Sequence, residues 1–483
     1  MEGISRSKLM KDDFNFAGTK FCLIFPPYRQ SEDLFFLKAT KKDLGKIPPL
    51  SLCTVAAVLE RYGGRVKIID VNVSKLSLED TLNEIIDFGP DFLGFTLSTY
   101  QFHFTLEWIK KIRRRINKPV IVGGPHARIY SRQILTHRCI DYCVLGDAEK
   151  TLPHLIYALI EKKPLSHVGG VAYRDNSEIK LNNFSLFIKN LDNVPFPSRH
   201  LIDNSRYYSL ISKHKNFTAM ITSRGCVFQC TFCDQHRIPY QAMKPKRVVD
   251  EMETCGKEFG VKEIDMFDGL FSLNKQRLLE ICAQIKKRKL KIFWSFRTRA
   301  DLIDKEVLEV LKTAGCMRIH YGVESGSPEI LKNIRKNETL EHIIRAVRLT
   351  KKAGIDTFGY FMVGNHGENK ATIKATSKLM LSLPLDYVQI SPIYYPPYSK
   401  VYSDIVAVIK HDYWAKYTVN PGYKIDFPII GTSFNKNQID RIAKKMYLRF
   451  YLRFPYMFKY LLKIKSLSEV QRAFRAIYNM LKE

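Results

Sequence analysis

The sequence predicts an α/β protein in which an N-terminal doubly wound parallel sheet precedes a partial (β/α)6 barrel and a helical C-terminal region. Apolar strand-like runs alternate with amphipathic stretches twice, first from residue 19 and again from residue 216. Such alternation is typical of parallel sheets covered by helices. It stops after Pro396-Pro397. We therefore predict a sheet domain, a connector with a hairpin, a barrel and a helical cover, at residues 19–162, 163–215, 216–395 and 396–483.

The first alternation supplies five strands, at residues 19–25, 66–71, 92–97, 119–122 and 142–145. Pro48 opens the first helix, and Gly63-Gly64 ends it. Ligands of such sheets bind beyond the carboxyl ends of the strands. Glycines in the loops there would let a large flat ligand approach the backbone. These loops are Pro26-Pro27, 96–99, 123–126 and 146–149, and none contains G-x-G-x-x-G, so a nicotinamide site is not indicated.

The second alternation follows a predicted hairpin, whose strands are 168–173 and 179–181. Six strands are predicted for the barrel, at residues 220–222, 263–267, 292–297, 317–321, 357–363 and 387–393. Active groups gather at the carboxyl ends of barrel strands. Those ends carry a cysteine-rich loop and three acidic residues, namely Asp268, Glu324 and Glu368.

The cysteine-rich loop contains Cys226, Cys230 and Cys233 in the spacing C-x3-C-x2-C. Soft thiolates this close together suit one iron–sulfur cluster. A four-iron cubane held by three cysteines keeps one iron open to a small molecule. Zinc is a weaker alternative because it normally needs four protein ligands, for which only Asp234 and His236 lie near. A disulfide is weaker still, since nothing in the sequence indicates secretion.

The stretch 223–233, with Phe232 before the last cysteine, resembles the cluster loop of the radical S-adenosylmethionine (SAM) superfamily. The resemblance implies that the three cysteines hold a 4Fe-4S cluster. It implies that the open iron chelates the amino and carboxylate groups of SAM, which an electron then cleaves to a 5′-deoxyadenosyl radical. The stretch 322–326 resembles the superfamily's fourth-strand motif. The stretch 364–368 resembles Gly-x-Pro-Gly-Glu, although Asn365-His366 replaces the usual Leu-Pro.

The SAM contacts that follow are Phe232, Asp268, Gly269, Glu324, Ser325 and Gly364. A carboxylate such as Glu324 can accept both ribose hydroxyls, and Asp268 or the backbone near Gly269 could receive the amino group. Phe232 and the Val363-Gly364 region could hold the adenine. Glu324 and Glu368 could instead be acids favoured at helix N-termini. His366 could be a base or a surface-loop histidine, and no catalytic residue is assigned.

The loops of the first half resemble the cobalamin-binding domain of cobalamin-dependent (class B) radical SAM proteins. The resemblance is carried by Phe25-Pro26-Pro27, 48–52, 123–126 and 146–149. The Asp-x-His-x-x-Gly motif, whose histidine ligates cobalt in many cobalamin domains, is absent from this half, as it is from much of the class B group. His126 could face cobalt or merely hold a loop. The cobalamin contacts implied are Pro27, Thr96, Ser98, Gly123, Gly124, His126, Gly146 and Glu149.

The chain carries a net charge of +29, which could attract anionic lipid, nucleic acid or an acidic partner, or could be a solvated surface. Residues 435–463 predict one or two aromatic and basic helices that could lie at a membrane interface or cover the barrel. No compact RNA-binding motif is visible, so nucleic acid is not expected. We expect a cytoplasmic protein, able to touch an anionic membrane peripherally. Its expected partners are an external electron donor and a small-molecule or lipid-like substrate.

The predicted function is reductive SAM cleavage combined with cobalamin-dependent methylation of an unactivated carbon. One alternative is radical cyclisation, rearrangement or carbon–carbon coupling of a lipid or tetrapyrrole-like substrate without methyl transfer. A further alternative, of another class, is a basic nucleic-acid-binding protein with a structural metal. The cofactors expected from the resemblance are a 4Fe-4S cluster, SAM and cobalamin.

Overall fold

The computed structural model describes residues 14–27, 45–182, 188–214, 216–235, 238–393, 395–454 and 456–457. Residues 458–463 of the predicted C-terminal helices lie outside these residues. Up to residue 182 the strands are β1 (Lys20–Phe25), β2 (Gly45–Lys46), β3 (Arg65–Asp70), β4 (Phe92–Thr96), β5 (Val120–Gly123), β6 (Tyr142–Val144), β7 (Val171–Asp175) and β8 (Glu178–Leu181). The helices among them are α1 (Leu50–Arg61), α2 (Val71–Ser74), α3 (Leu78–Phe88), α4 (Phe102–Arg115), α5 (Pro125–Ile134) and α6 (Ala148–Ile160).

All of these strands except β2 form one sheet in the order β3-β1-β4-β5-β6-β7-β8. The first five run parallel, which confirms the predicted doubly wound sheet. The predicted hairpin does not stand apart in the connector, because β7 pairs antiparallel with β6 and extends this sheet. Short β2 pairs instead with β9 (Tyr208–Ser209).

The second sheet is the predicted half-barrel. Its region contains β10 (Phe217–Met220), β11 (Ser223–Arg224), β12 (Gln241–Ala242), β13 (Glu263–Met266), β14 (Phe293–Thr298), β15 (Cys316–Glu324), β16 (Asp356–Val363) and β17 (Tyr387–Pro392). Six of them pair in parallel in the order β10-β13-β14-β15-β16-β17. The helices on its outer face are α7 (Pro245–Phe259), α8 (Lys275–Lys287), α9 (Lys305–Thr313), α10 (Pro328–Asn333), α11 (Leu340–Lys352) and α12 (Lys370–Ser382).

Alternating side chains of the barrel strands build its core. Trp294 and Phe296 of β14 are fully buried in one apolar cluster with side chains of the covering helices. Asp265, Arg297 and His320 belong to the opposite, inner face of the strands, because side chains alternate across a strand. The inner face is polar, and Arg297 binds Asp265 through two nitrogens at 2.9 and 3.1 Å.

The C-terminal region contacts both domains. It contains α13 (Lys400–Ile409), α14 (Tyr413–Val419) and α15 (Lys436–Tyr451). Trp414 of α14 is buried in the cluster that also holds Phe102 of the first domain. On α15, Tyr447 and Tyr451 accept hydrogen bonds from the backbone of β17, at 2.8 and 3.1 Å. The aromatic side chains of α14 and α15 therefore act as a cover. Among the described residues, the helices are all too short or too polar to cross a membrane.

Candidate functional site

The cysteine loop begins and ends in a short two-stranded ladder. Ser223 pairs with Ala242 and Arg224 with Gln241, so both ends of the loop are held together. Gly225, which precedes the first cysteine, has φ +75°. A Cβ atom there would lie 2.6 Å from the carbonyl oxygen of Pro239. Only glycine fits this left-handed and crowded position.

Asp268 anchors the root of the loop. Its carboxylate accepts hydrogen bonds from Thr222 N and Thr222 Oγ1, each at 2.6 Å, and from Ser223 Oγ at 2.7 Å. Arg277 donates to Thr222 Oγ1 at 2.9 Å and to the carbonyl of Met243 at 2.8 Å. Asp268 is 0% exposed. The structure thus gives Asp268 a role in holding the loop, where the sequence predicts a contact to the SAM amino group.

The thiols of the loop differ in exposure: Cys230 is buried, whereas Cys226 and Cys233 are half-buried. Burial raises the pKa of Cys230, and it raises that of Cys233 to about 11. Such thiols stay protonated until a bound metal displaces the proton. Within the described ranges, no three His, Cys, Asp or Glu side chains converge closely enough to hold a single metal ion.

Glu324 ends the fourth barrel strand in a strained position. Its φ is +64°, which is uncommon for a residue other than glycine, and it is 7% exposed. Lys336 Nζ lies 3.6 Å from Glu324 Oε1 and 3.6 Å from Glu338 Oε2. Burial raises the pKa of Glu324, although Lys336 opposes this shift. Burial acts to lower the pKa of Lys336, but the two carboxylates dominate and raise it.

The segment that carries Lys336 also supports the cysteine loop. Thr231 N donates to the carbonyl oxygen of Ile334 at 3.0 Å. The guanidinium of Arg299 lies 3.9 Å from the ring centre of Phe228 and donates to the carbonyl of Lys336 at 2.6 Å. These contacts bring the end of the fourth strand and the cysteine loop to one side of the barrel mouth.

The other predicted SAM contacts fall into two groups. Phe232 is half-buried and packs against the apolar clusters of both domains. Gly269 is exposed, and a Cβ atom there would lie 3.7 Å from Gln235 Cγ. Ser325 is fully buried, and its hydroxyl pairs with Thr376 at 3.0 Å. Gly364 donates to Glu368 Oε2 at 2.6 Å. Phe232 and Gly269 thus remain available to a ligand, whereas the Ser325 and Glu368 side chains are used to shape their loops.

His366 is exposed and packs against Gly431 of the C-terminal region. Asn333 donates to its carbonyl oxygen at 3.3 Å. This placement matches the surface-loop interpretation of His366.

A cavity of about 470 Å³ is lined by strands of the N-terminal sheet, by α1 and α6, and by the loops at the carboxyl ends of the strands. It brings together five of the eight predicted cobalamin contacts: Thr96, Gly123, Gly124, Gly146 and Glu149. Pro27, Ser98 and His126 are not part of its lining. The lining also includes both ends of the cysteine loop, through Ile221, Arg224 and Ile238.

The glycines of this cavity fit a large flat ligand. A Cβ atom at Gly123 would meet only Val144 Cβ, at 3.9 Å, and would otherwise project into the cavity. Gly124 has φ +100°, and a Cβ atom there would lie 2.8 Å from the carbonyl oxygen of Leu97. The apolar wall and the bare backbone at Gly123 suit a ring system that lies against the strand ends.

His126 points away from this cavity into the protein. It is 0% exposed, and its Nδ1 and Nε2 pair with the hydroxyls of Thr99 at 3.3 Å and Thr418 at 3.1 Å. Burial lowers its pKa to about 3, so it is neutral. The structure therefore places His126 as a bridge between α5 and α14, and does not bring it to the predicted cobalamin contacts.

Two family models match the chain, one described as "Radical SAM superfamily" over residues 220–380 and one as "B12 binding domain" over residues 39–156. An uncharacterized methyltransferase of Pyrococcus horikoshii is 31% identical over 443 residues, which cover 89% of this chain and 92% of that protein. The chain belongs to the cobalamin-binding radical SAM enzymes. Its cofactors are a 4Fe-4S cluster, SAM and cobalamin.

Other members of these radical SAM enzymes extend the comparison. The anaerobic magnesium-protoporphyrin IX monomethyl ester cyclase of Rubrivivax gelatinosus is 28% identical over 349 residues, or 69% of this chain and 62% of that protein. The chain thus spans less than two thirds of the cyclase. The solved structure of the cobalamin-dependent SAM radical enzyme OxsB, with aqua-cobalamin and SAM bound, shares the fold with a TM-score of 0.71. It is 22% identical and is matched over 96% of this chain and 72% of that chain.

Sequence reasoning missed several residues of this radical SAM site. Lys336 and Glu338 carried no signal, because a lysine and a glutamate between two helices normally face solvent. The partnership of Arg224 with Glu149 joins residues 75 positions apart, which no local pattern predicts. Arg277 is a similar case, since a helical arginine is ordinarily exposed.

Proposed function

We propose that this enzyme transfers a methyl group from methylcobalamin to an unactivated carbon of a small-molecule substrate. The observation that carries the proposal is the shared cavity, whose lining includes both the N-terminal strand ends and the two ends of the cysteine loop. A cobalamin held there lies beside the loop that holds the cluster. The P. horikoshii relative, named a methyltransferase, supports methyl transfer as the outcome.

The chain's own residues have distinct proposed tasks. Cys226, Cys230 and Cys233 hold the cluster, and Glu324 accepts the ribose hydroxyls of SAM. Phe232 and Gly269 remain the proposed further SAM contacts on the open side, and Gly364 offers backbone to the adenine. When bound, the cluster supplies the electron that cleaves SAM, and cobalamin supplies the methyl group.

The proposed cobalamin contacts of the cavity are Thr96, Gly123, Gly124, Gly146 and Glu149. The bare strand ends at the glycines would receive the ring, and Thr96 and Glu149 would offer oxygen acceptors to its amide side chains. Among the described residues that line this cavity, none is a histidine. We therefore propose that cobalamin binds without a histidine ligand from this wall.

The test uses the reconstituted enzyme, reduced anaerobically with cobalamin and SAM labelled in its methyl group. We expect label on the cobalamin before any substrate is added, and label in a carbon-bound product once a cell extract is supplied. Formation of 5′-deoxyadenosine without label on cobalamin would contradict methyl transfer. That result would favour the second candidate, radical cyclisation, which the 28% identity to the cyclase supports.

We propose that the enzyme works in the cytoplasm with an external electron donor, and that its C-terminal end touches anionic membranes. Phe454 is 79% exposed next to Arg453, and Met457 is 39% exposed, which suits an interface of aromatic and basic residues. Flotation with vesicles that contain anionic lipid tests this contact. Absence of binding at low salt would contradict it.

A further inference from the structure

Arg224 connects the cysteine loop of the barrel to the start of α6 in the N-terminal domain. It is two residues before Cys226, and its backbone belongs to the ladder that closes the cysteine loop. Its guanidinium donates to Glu149 Oε1, and its Nη1 lies 3.5 Å from Asp147 Oδ1. Asp147 directly precedes α6 and Glu149 lies in its first turn, and both residues line the same cavity as Arg224.

This ion pair is largely shielded from solvent, and the segments that carry its two partners are each held by further contacts. The Arg224 and Glu149 side chains are only 29% and 10% exposed. Asp147 Oδ2 accepts from Ile188 N at 2.8 Å, which fixes the loop on one side. On the Arg224 side, the neighbouring Gly225 packs closely against the backbone of Pro239. A pair in such surroundings interacts more strongly than one in open solvent.

We propose that the Arg224–Glu149 pair couples the cobalamin cavity to the cysteine loop, so that bound cobalamin and a retained iron–sulfur cluster stabilise each other. A ligand in this cavity packs against Ile221 and Ile238 at both ends of the loop and against Glu149 of α6. It therefore restricts the movement by which the cysteines would separate. Coupling between two sites is reciprocal in binding free energy. The inference does not depend on methyl transfer.

The test measures iron release to a chelator from the anaerobically reconstituted enzyme, with and without saturating hydroxocobalamin. We expect cobalamin to slow iron release about tenfold in the unaltered enzyme, a typical coupling between sites. In Arg224→Met the two rates should agree within about twofold. Arg224→Lys should keep part of the difference, because an ammonium can pair with one carboxylate at a time.

The matched control is Arg113→Met, which breaks a partly buried pair that lies wholly within the N-terminal domain. Arg113 Nη2 lies 3.6 Å from Asp141 Oδ2, and neither residue lines the cavity. This variant should keep the full effect of cobalamin. Glu149→Gln breaks the same pair from the N-terminal domain, away from the cysteines. Cobalamin should therefore have little effect on its iron release. This variant keeps the test possible if Arg224→Met cannot hold a cluster.

A second measurement tests the same coupling through the affinity for cobalamin. The unaltered enzyme should bind hydroxocobalamin about tenfold more tightly when its cluster is present than when the cluster has been removed. Bound cobalamin is followed by its absorbance. Equal affinities, or an effect of cobalamin on iron release that survives in Arg224→Met, would overturn the proposal. A purely structural role of Arg224 would speed iron loss equally in both states and would overturn it as well.

Discussion

Lys336 Nζ lies 3.6 Å from Glu324 Oε1, and both side chains are buried at the mouth of the barrel. Glu338 Oε2 lies at the same distance from the ammonium. Removing Lys336 would leave two buried carboxylates without a cation. We expect Lys336→Gln to lower the free energy of unfolding by about 3 kcal/mol, the usual cost of breaking a buried pair.

Denaturant unfolding of the anaerobic protein measures this change. Lys332→Gln is the control, because Lys332 is exposed on the same segment and should change stability by less than about 0.5 kcal/mol. Equal stability of the two variants would show that Lys336 does not neutralise the buried acids.

SAM affinity should depend on the protonation of Glu324. Burial raises the pKa of Glu324 above its ordinary value, so its ionisation costs folding stability as the pH rises through that pKa. The ribose hydroxyls need the ionised form as acceptor. SAM binding should therefore weaken as the pH falls through the raised pKa. Titration of SAM binding at several pH values tests this, and Glu324→Gln should bind weakly without the pH dependence.

Gly123 offers a direct test of the cobalamin cavity. A leucine there would project into the space that the ring requires, since only Val144 stands near its Cβ position. We expect Gly123→Leu to weaken hydroxocobalamin binding at least about tenfold, and Gly123→Ala to weaken it much less. Absorbance of bound cobalamin after desalting measures both. Normal binding by Gly123→Leu would place cobalamin elsewhere.

His126 should matter for stability and not for cobalamin. His126→Ala leaves a cavity and removes one hydrogen-bond partner from each of two buried hydroxyls, so we expect a loss of about 2 kcal/mol in unfolding free energy. Cobalamin affinity and spectrum should be unchanged. If the variant were stable but lost cobalamin, His126 would be a ligand after all.

Asp268 should govern how well the cysteine loop holds iron. In Asp268→Asn an amide nitrogen would face hydroxyl and amide donors that now bind a carboxylate. We expect less iron per chain after reconstitution and a stability loss of about 2 kcal/mol. Asp175→Asn, at an exposed hairpin position, is the control and should change neither.

Much of the fold was predictable because glycines and prolines in the sequence indicate where helices and strands begin and end. Gly63-Gly64 ends a helix that indeed stops at Arg61, and the six predicted barrel strands pair in chain order. The hairpin strands were predicted, but their attachment to β6 was not. The pairing of β6 with β7 depends on how the whole sheet assembles, so the local hydrophobic periodicity of either strand cannot predict it.

The candidate site was predictable at strand ends and less so in its side-chain partners. The glycines at 123–124 and 146 meet in the cavity because parallel strands end at one edge. Asp268 and Glu324 follow strands in the same way, yet one is saturated by Thr222 and Ser223 and the other faces a buried lysine. Those partners come from other loops and are not marked by any local pattern, so the sequence could not assign their roles.

The most direct test follows the two fates of SAM in one anaerobic reaction with reductant, cobalamin and cell extract. Methyl donation leaves S-adenosylhomocysteine, whereas reductive cleavage leaves 5′-deoxyadenosine. We expect the unaltered enzyme to form both, Cys230→Ser to lose 5′-deoxyadenosine, and Gly123→Leu to lose S-adenosylhomocysteine. An enzyme that forms 5′-deoxyadenosine alone, or a Gly123→Leu variant that still forms both products, would contradict a two-cofactor methyltransferase.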